Sequence, residues 1–147
     1  MQSKRPQILS TKILERAVLA NAQAHHIDMV CLPFIESVPV INDDLIRQVR
    51  RLADEPANVI FTSSKSVSAV ASMLQRQPRW GIYCLFGATK QNAQKYFSES
   101  VIYANAKDSA ALAEQIKKEG LKEVHFFCGN KRMDTIPEKL ADTQIVL

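Results

Sequence analysis

Short apolar runs alternate with amphipathic segments along most of this chain, and no other feature restricts the fold as strongly. The clearest runs are residues 58–61, 81–86, 101–103 and 124–128. Each is followed by a stretch whose apolar residues recur at helical spacing. Because the runs are apolar on both faces and the connections are short, the pattern predicts a doubly wound α/β fold, a parallel sheet covered by helices.

An earlier and smaller β-α-β pattern precedes this region. It consists of a strand at residues 8–10, a helix at 14–26 and a strand at 28–32, and it is too small to bury both of its faces. Two prolines then punctuate an extended segment, which favours a linker. We therefore predict that residues 1–40 are the first leg and linker of a domain whose remainder is missing. Residues 41–147 are predicted to form a complete second domain.

Charge and composition restrict the classes of molecule that the protein can bind. The 19 lysines and arginines exceed the 15 acidic residues, giving a net charge of +4 that suits a small polyanionic ligand. Nucleic acid usually requires a denser basic stripe. The three cysteines are widely separated, which argues against disulfides or a zinc site and fits a reducing cytosol. Since no signal peptide or membrane-length apolar run is evident, we expect a cytoplasmic protein without metal, membrane or nucleic-acid partners.

Four turns that follow the predicted strands form the candidate site. Ligands of open α/β sheets bind outside the carboxyl ends of the strands, and each of these turns is small, polar and contains a lysine. The turns are Thr62-Ser63-Ser64-Lys65, Gly87-Ala88-Thr89-Lys90, Ala104-Asn105-Ala106-Lys107 and Gly129-Asn130-Lys131-Arg132. Helix N-terminal amides and the lysines together predict binding of a ligand with several carboxylates or phosphates. Small polar turns are also good helix caps, so the same residues could serve only the fold.

Several other chemistries lack their motifs. The chain contains neither G-x-x-x-x-G-K-[ST] nor G-x-G-x-x-G, which argues against nucleoside triphosphate and dinucleotide binding. The strand ends carry no acidic residues, so a phosphoacceptor receiver domain is excluded. Cys128 precedes a helix as a phosphatase nucleophile would, but Arg132 is two residues too close for a C-x5-R loop. A buried structural thiol is the better interpretation of Cys128.

The order of the turn motifs resembles the uroporphyrinogen-III synthase family. Residues 61–67 resemble its FTSxxxV signature, and residues 86–90 resemble its VGxxT turn. Residues 106–112 and 128–140 are similar to two later segments. The opening strand and the entry to the linker are also similar, at residues 8–11 and 32–35.

This resemblance implies two flavodoxin-like domains joined by a linker, with the chain resembling the first leg and the second domain. A tyrosine that the family places just after the second domain has no counterpart here. Members of the family are hydro-lyases of haem and tetrapyrrole biosynthesis. They cyclise hydroxymethylbilane to uroporphyrinogen III, with inversion of ring D and loss of water. The resemblance implies no metal or cofactor. It also implies a monomer at full length, whereas the fragment is expected to be inactive alone and able to dimerise or swap domains.

The resemblance assigns substrate binding, by position, to small residues of the turns: Thr62, Ser63, Ser64, Gly87, Thr89 and Ala106. Charge alone adds four lysines: Lys65, Lys90, Lys107 and Lys131. No catalytic residue is identified. One alternative is a non-catalytic, flavodoxin-like anion-binding module. Another is a flavin-binding electron carrier, although the later turns lack aromatic residues that would sandwich a flavin.

Overall fold

The computed structural model describes residues 5–146. The chain divides into two compact units, Met1–Val38 and Pro39–Leu147. The first four residues and Leu147 lie outside the described residues.

The first unit is a single β-α-β motif. It contains β1 (Gln7–Ser10), α1 (Arg16–Ala24) and β2 (Asp28–Cys31). The two strands pair in parallel. α1 ends earlier than predicted because His26 adopts a φ of 58°, a left-handed conformation that does not continue a helix. No residue between 5 and 38 is buried, as expected for a motif too small to cover its own faces.

The second unit alternates helices with strands throughout. Its helices are α2 (Asp43–Leu52), α3 (Ser64–Met73), α4 (Ala88–Tyr96), α5 (Ser109–Lys118) and α6 (Thr135–Lys139). Its strands are β3 (Asn58–Phe61), β4 (Gly81–Leu85), β5 (Val101–Ala106), β6 (Glu123–Phe127) and β7 (Gln144–Val146). Asn42 is the N-cap of α2, and its side chain accepts a hydrogen bond from the Leu45 amide at 2.8 Å. Gly120 follows α5 with a φ of 65°, the left-handed conformation in which glycine commonly terminates a helix.

Helices cover both faces of this sheet. Val59 and Phe61 of β3 lie in a core with residues of α2, α3 and α4. Ile60, which points to the opposite face, lies in a second core with residues of α5 and α6. The Trp80 side chain is buried in the first core, where its indole N–H donates to the Leu52 carbonyl at 3.1 Å. The predicted doubly wound α/β class is confirmed.

The strand order determines where a ligand crevice can lie. The five parallel strands are arranged as β5-β4-β3-β6-β7. Counted along this unit, the order is 3-2-1-4-5, as in Rossmann sheets, and differs from the 2-1-3-4-5 order of flavodoxin. The topology therefore reverses between β3 and β6, and the turns that follow these strands and their neighbours flank that point.

No helix among residues 5–146 is long and apolar enough to cross a membrane.

Candidate functional site

The turns after β3, β4, β5 and β6 lie at one edge of the sheet because all four strands run in parallel. The turn after β3 is central, with the β4 turn on one side and the β6 turn on the other. The β5 turn is outermost. Since neighbouring strands are about 4.8 Å apart, the four turns span about 15 Å. This distance suits a ligand with several anionic groups better than a single small ion.

The turn after β3 starts α3 with its own hydroxyl groups. Ser63 is the N-cap, and its Oγ accepts a hydrogen bond from the Lys65 amide at 3.2 Å. The Ser66 hydroxyl donates to the Ser63 carbonyl at 2.8 Å. Thr62 and Ser64 are half-buried, and Lys65 is exposed. The serine cap is neutral, so the positive end of the α3 dipole is not offset by a carboxylate of its own.

The turn after β4 depends on a glycine conformation. Gly87 has φ 86° and ψ −134°, and α4 begins there without a side-chain cap. A Cβ built on Gly87 would meet no atom within 4 Å, so backbone conformation requires the glycine and packing does not. The Lys90 ammonium lies 5.6 Å from the centroid of the Phe86 ring, which is 69% exposed. Thr89 is only 6% exposed and faces the protein interior.

The turn after β5 differs from the prediction. Residues 104–106 belong to the strand because, after a register shift, Leu85 pairs with Ala106 and the Phe86 amide donates to the Ala106 carbonyl at 2.9 Å. Ala106 is buried at 4% exposure, while the side chains of Ala104 and Asn105 lie outside the described part. Lys107 is exposed, but Asp108 next to it caps α5 by accepting from the Ala111 amide at 2.8 Å.

The turn after β6 also contains a carboxylate. Lys131 is exposed, and α6, which follows, is only five residues long with Asp134 at its N-cap position. The Arg132 Nε lies 3.7 Å from an Asp134 carboxylate oxygen. Burial raises the pKa of the Cys128 thiol, and the positive charge of Arg132 opposes that rise. Arg132 therefore brings a cation to the end of β6, but Asp134 offsets much of its charge.

The structure thus divides the four predicted turns into two kinds. The central turns, residues 62–65 and 86–90, have neutral helix starts and one lysine each. The outer turns after β5 and β6 place Asp108 and Asp134 at helix starts, where a carboxylate competes with an incoming anion. The central turns therefore hold the strongest anion-binding potential at this edge.

A buried cysteine reports on the charge at the central turns. Burial raises the pKa of Cys84 to about 11, and the positive charge of Lys90 opposes the rise. Lys90 is itself half-buried at the start of α4, which follows the carboxyl end of β4. A raised pKa also means that neither Cys84 nor Cys128 is activated as a nucleophile.

Sequence reasoning missed two residues beside the central turns. The Asn92 side-chain amide donates to the Ser64 carbonyl at 3.2 Å and to the Ser68 hydroxyl at 3.3 Å, which fixes the start of α3 against α4. Asn92 lies one turn inside α4, so a search restricted to turns could not find it. Phe86 was assigned to the strand, although its position at the end of the apolar run was a signal that it could be exposed.

The groups at the central turns are of the kinds that can bind and orient an anionic ligand. The central turns offer backbone amides, hydroxyls and two ammonium groups. Among the described residues, no group of three or more histidine, cysteine or acidic side chains lies close enough together to hold a metal ion.

Comparison with known proteins gives matches to a family model and to solved structures. The family model described as uroporphyrinogen-III synthase HemD matches residues 17–146 of this chain. The crystal structure of a mutant uroporphyrinogen III synthase from the extremely thermophilic bacterium Thermus thermophilus is similar, with a TM-score of 0.64 and 14% sequence identity. That match covers 96% of this chain and 60% of the other, and at such identity it concerns the fold. No curated protein matches the chain by sequence.

Proposed function

Because the chain belongs to the uroporphyrinogen-III synthase family, we propose that it takes part in the hydro-lyase reaction after which the family is named. In that reaction hydroxymethylbilane closes to uroporphyrinogen III, with inversion of ring D and loss of water. The chain spans 60% of the similar solved structure. The proposed activity therefore concerns the whole protein, and the central turns supply one part of its substrate site.

The neutral, lysine-bearing starts of α3 and α4 are the observation that supports this proposal. Hydroxymethylbilane is a linear tetrapyrrole with eight carboxylates, and two adjacent helix N-termini can each accept one of them. Each helix terminus stabilises an anion by about 0.3–1 kcal/mol, and the exposed Lys65 and the half-buried Lys90 each contribute a similar amount. The four contributions total roughly 1–4 kcal/mol, which corresponds to weak binding. Other parts of the whole protein must supply the remaining affinity.

The exposed Phe86 ring fits the other half of the substrate's chemistry. A tetrapyrrole carries flat apolar rings between its acidic arms. Phe86 presents an aromatic surface beside the Lys90 ammonium. A ring of the substrate can contact Phe86 while its carboxylate reaches Lys90 or the α4 amides.

The proposed contribution of these residues to catalysis is to restrict the substrate. Ring closure requires the two ends of the flexible substrate to meet. If binding already holds the two ends together, the entropy cost of bringing them together is met on binding and no longer adds to the barrier of the reaction. Thr62, Ser64, Gly87 and the two lysines would contact the substrate. The buried Thr89 and Ala106 would support the turns from beneath.

Other expectations remain proposals of the same kind. We propose a cytoplasmic location. We also propose that residues 1–40 are the first leg of a second, similar domain, that the whole protein is a monomer, and that this chain by itself can dimerise or swap domains. Lys107 and Lys131 are proposed only as long-range attraction for the acidic substrate, because Asp108 and Asp134 lie beside them.

A coupled assay tests the proposed function. Hydroxymethylbilane is supplied to the natural protein that contains this chain, and the ratio of type III to type I uroporphyrin is measured after oxidation. An excess of type III is expected, whereas type I alone would refute the enzyme proposal and favour a binding module. Lys90→Gln is expected to raise KM several-fold. Lys95→Gln removes the same charge from the far end of the same helix and should leave KM unchanged.

A further inference from the structure

A groove of about 360 Å³ lies at the C-terminal ends of α2 and α3, and the function proposed above does not use it. α2 leads into β3 and α3 leads into β4, so these helix ends lie near the sheet edge where the strands begin. The bond from the Trp80 indole to the Leu52 carbonyl confirms this position for α2. The groove is therefore at the opposite end of the second unit from the central turns.

Arginines from two parts of the chain converge on this groove. Arg47, Arg50 and Arg51 lie on one face of α2 at positions i, i+3 and i+4, and Arg76 arrives from beyond the end of α3. The lining also includes Asp54, so four arginines against one aspartate give a net charge of +3. Leu74 and Ala53 supply an apolar part of the wall.

Groups within the chain pair with only some of the N–H donors of these arginines. Arg47 pairs with Asp44, and Arg76 pairs with Asp54. The Arg50 Nε donates to the Met73 carbonyl at 2.9 Å, which uses one of its five N–H groups. Within residues 5–146, Arg51 has no carboxylate partner.

Helix-end stabilisation accounts for only some of this arrangement. Cations in the last turn of a helix interact favourably with its dipole, and α5 ends in the same way with Lys117 and Lys118. That effect explains Arg50 and Arg51, which are in the last turn of α2. Arg47 and Arg76 are held by their pairs with Asp44 and Asp54, so the donors left in the groove are the Arg51 guanidinium and the terminal nitrogens of Arg50.

We propose that this groove binds a small oxyanion with two or more negative charges, bearing phosphate or carboxylate groups. Guanidinium groups present paired N–H donors that match such oxygens, which a lysine ammonium cannot do in the same way. The groove is the size of a small-ligand pocket. The unpaired Arg51 and the terminal nitrogens of Arg50 are the expected first contacts.

Calorimetric titration of the 147-residue chain tests this site with two probes, pyrophosphate and citrate. Binding of pyrophosphate alone supports a phosphate ligand, binding of citrate alone supports a carboxylate ligand, and binding of both supports a site for either. Arg51→Gln is expected to weaken binding about fivefold, the effect of one exposed ion pair. Arg51→Lys, which keeps the charge but loses the paired donors, should recover only part of the affinity.

A matched control separates a site from general charge attraction. The double variant Lys117→Gln/Lys118→Gln removes two positive charges from the corresponding end of α5 and should change the dissociation constant less than twofold. Because the Arg51 side chain has no carboxylate partner in the described part of the chain, Arg51→Gln is expected to keep the native circular dichroism spectrum. Absence of binding to both probes would overturn the proposal. Equal weakening by the α5 double variant and by Arg51→Gln would overturn it as well.

Discussion

Replacement of Gly87 by alanine measures the energetic cost of the backbone conformation at the start of α4. An added Cβ would meet no atom within 4 Å, so steric overlap contributes nothing to the cost. The φ of 86° and ψ of −134° lie in a region that residues with a Cβ rarely adopt. Holding alanine there costs of order 1–3 kcal/mol. We therefore expect Gly87→Ala to lower the free energy of unfolding by about 2 kcal/mol.

Equilibrium unfolding in urea, followed by circular dichroism, measures this difference. Gly129→Ala is the control, because its Cβ also meets no atom within 4 Å and its φ is not positive. The control should be neutral, or stabilised by up to about 1 kcal/mol through the loss of unfolded-state freedom. If both variants have the same unfolding free energy, the interpretation of Gly87 is wrong.

Four further predictions concern single residues: two come from side-chain hydrogen bonds and two from the burial of one thiol. Asn42→Ala should lower the unfolding free energy by about 1 kcal/mol in the same urea assay, through loss of the α2 cap, and an unchanged value would contradict the cap. Asn92→Ala removes both side-chain bonds between α3 and α4, so it should cost about 1–2 kcal/mol in that assay and raise KM; an effect on stability alone would contradict its positioning role. Burial raises the Cys84 pKa from 9.0 to about 11, so iodoacetamide at pH 8 should label Cys31 well before Cys84. Because the folded state holds that proton more tightly than the unfolded chain, Cys84 stabilises the fold below pH 9, and this stabilisation should disappear as pH rises through about 11.

Local patterns were enough to predict most secondary structure. The run at residues 58–61 forms β3 with the predicted bounds. Its last three residues are apolar and buried, and a short apolar run between two turns favours a buried strand. Asn42, followed by two aspartates in the first turn, is a local signal for the start of α2. Such signals depend on neighbours in sequence, so they can be read without knowledge of the tertiary contacts.

The strand order and the division between central and outer turns depend on contacts across the sheet. No local signal places β6 beside β3, so the point of topological reversal was not predictable. Residues 104–106 contain no large apolar side chain, and they join β5 only because β4 holds their backbone. The burial of Thr89 could have been inferred, since Thr89 lies four residues before the apolar Ala93 on the same helix face. The structure buries both residues.

The central claim is that the neutral helix starts after β3 and β4 hold the acidic arms of a tetrapyrrole. Titration of the ¹⁵N-labelled chain with a soluble tetrapyrrole octacarboxylate, followed by amide chemical shifts, tests it most directly. We predict that the largest shifts occur at residues 62–65 and 86–90, with smaller ones at 107–111 and 129–135. The largest shifts at the outer turns or at Arg47, Arg50 and Arg51, with none at the central turns, would contradict the claim.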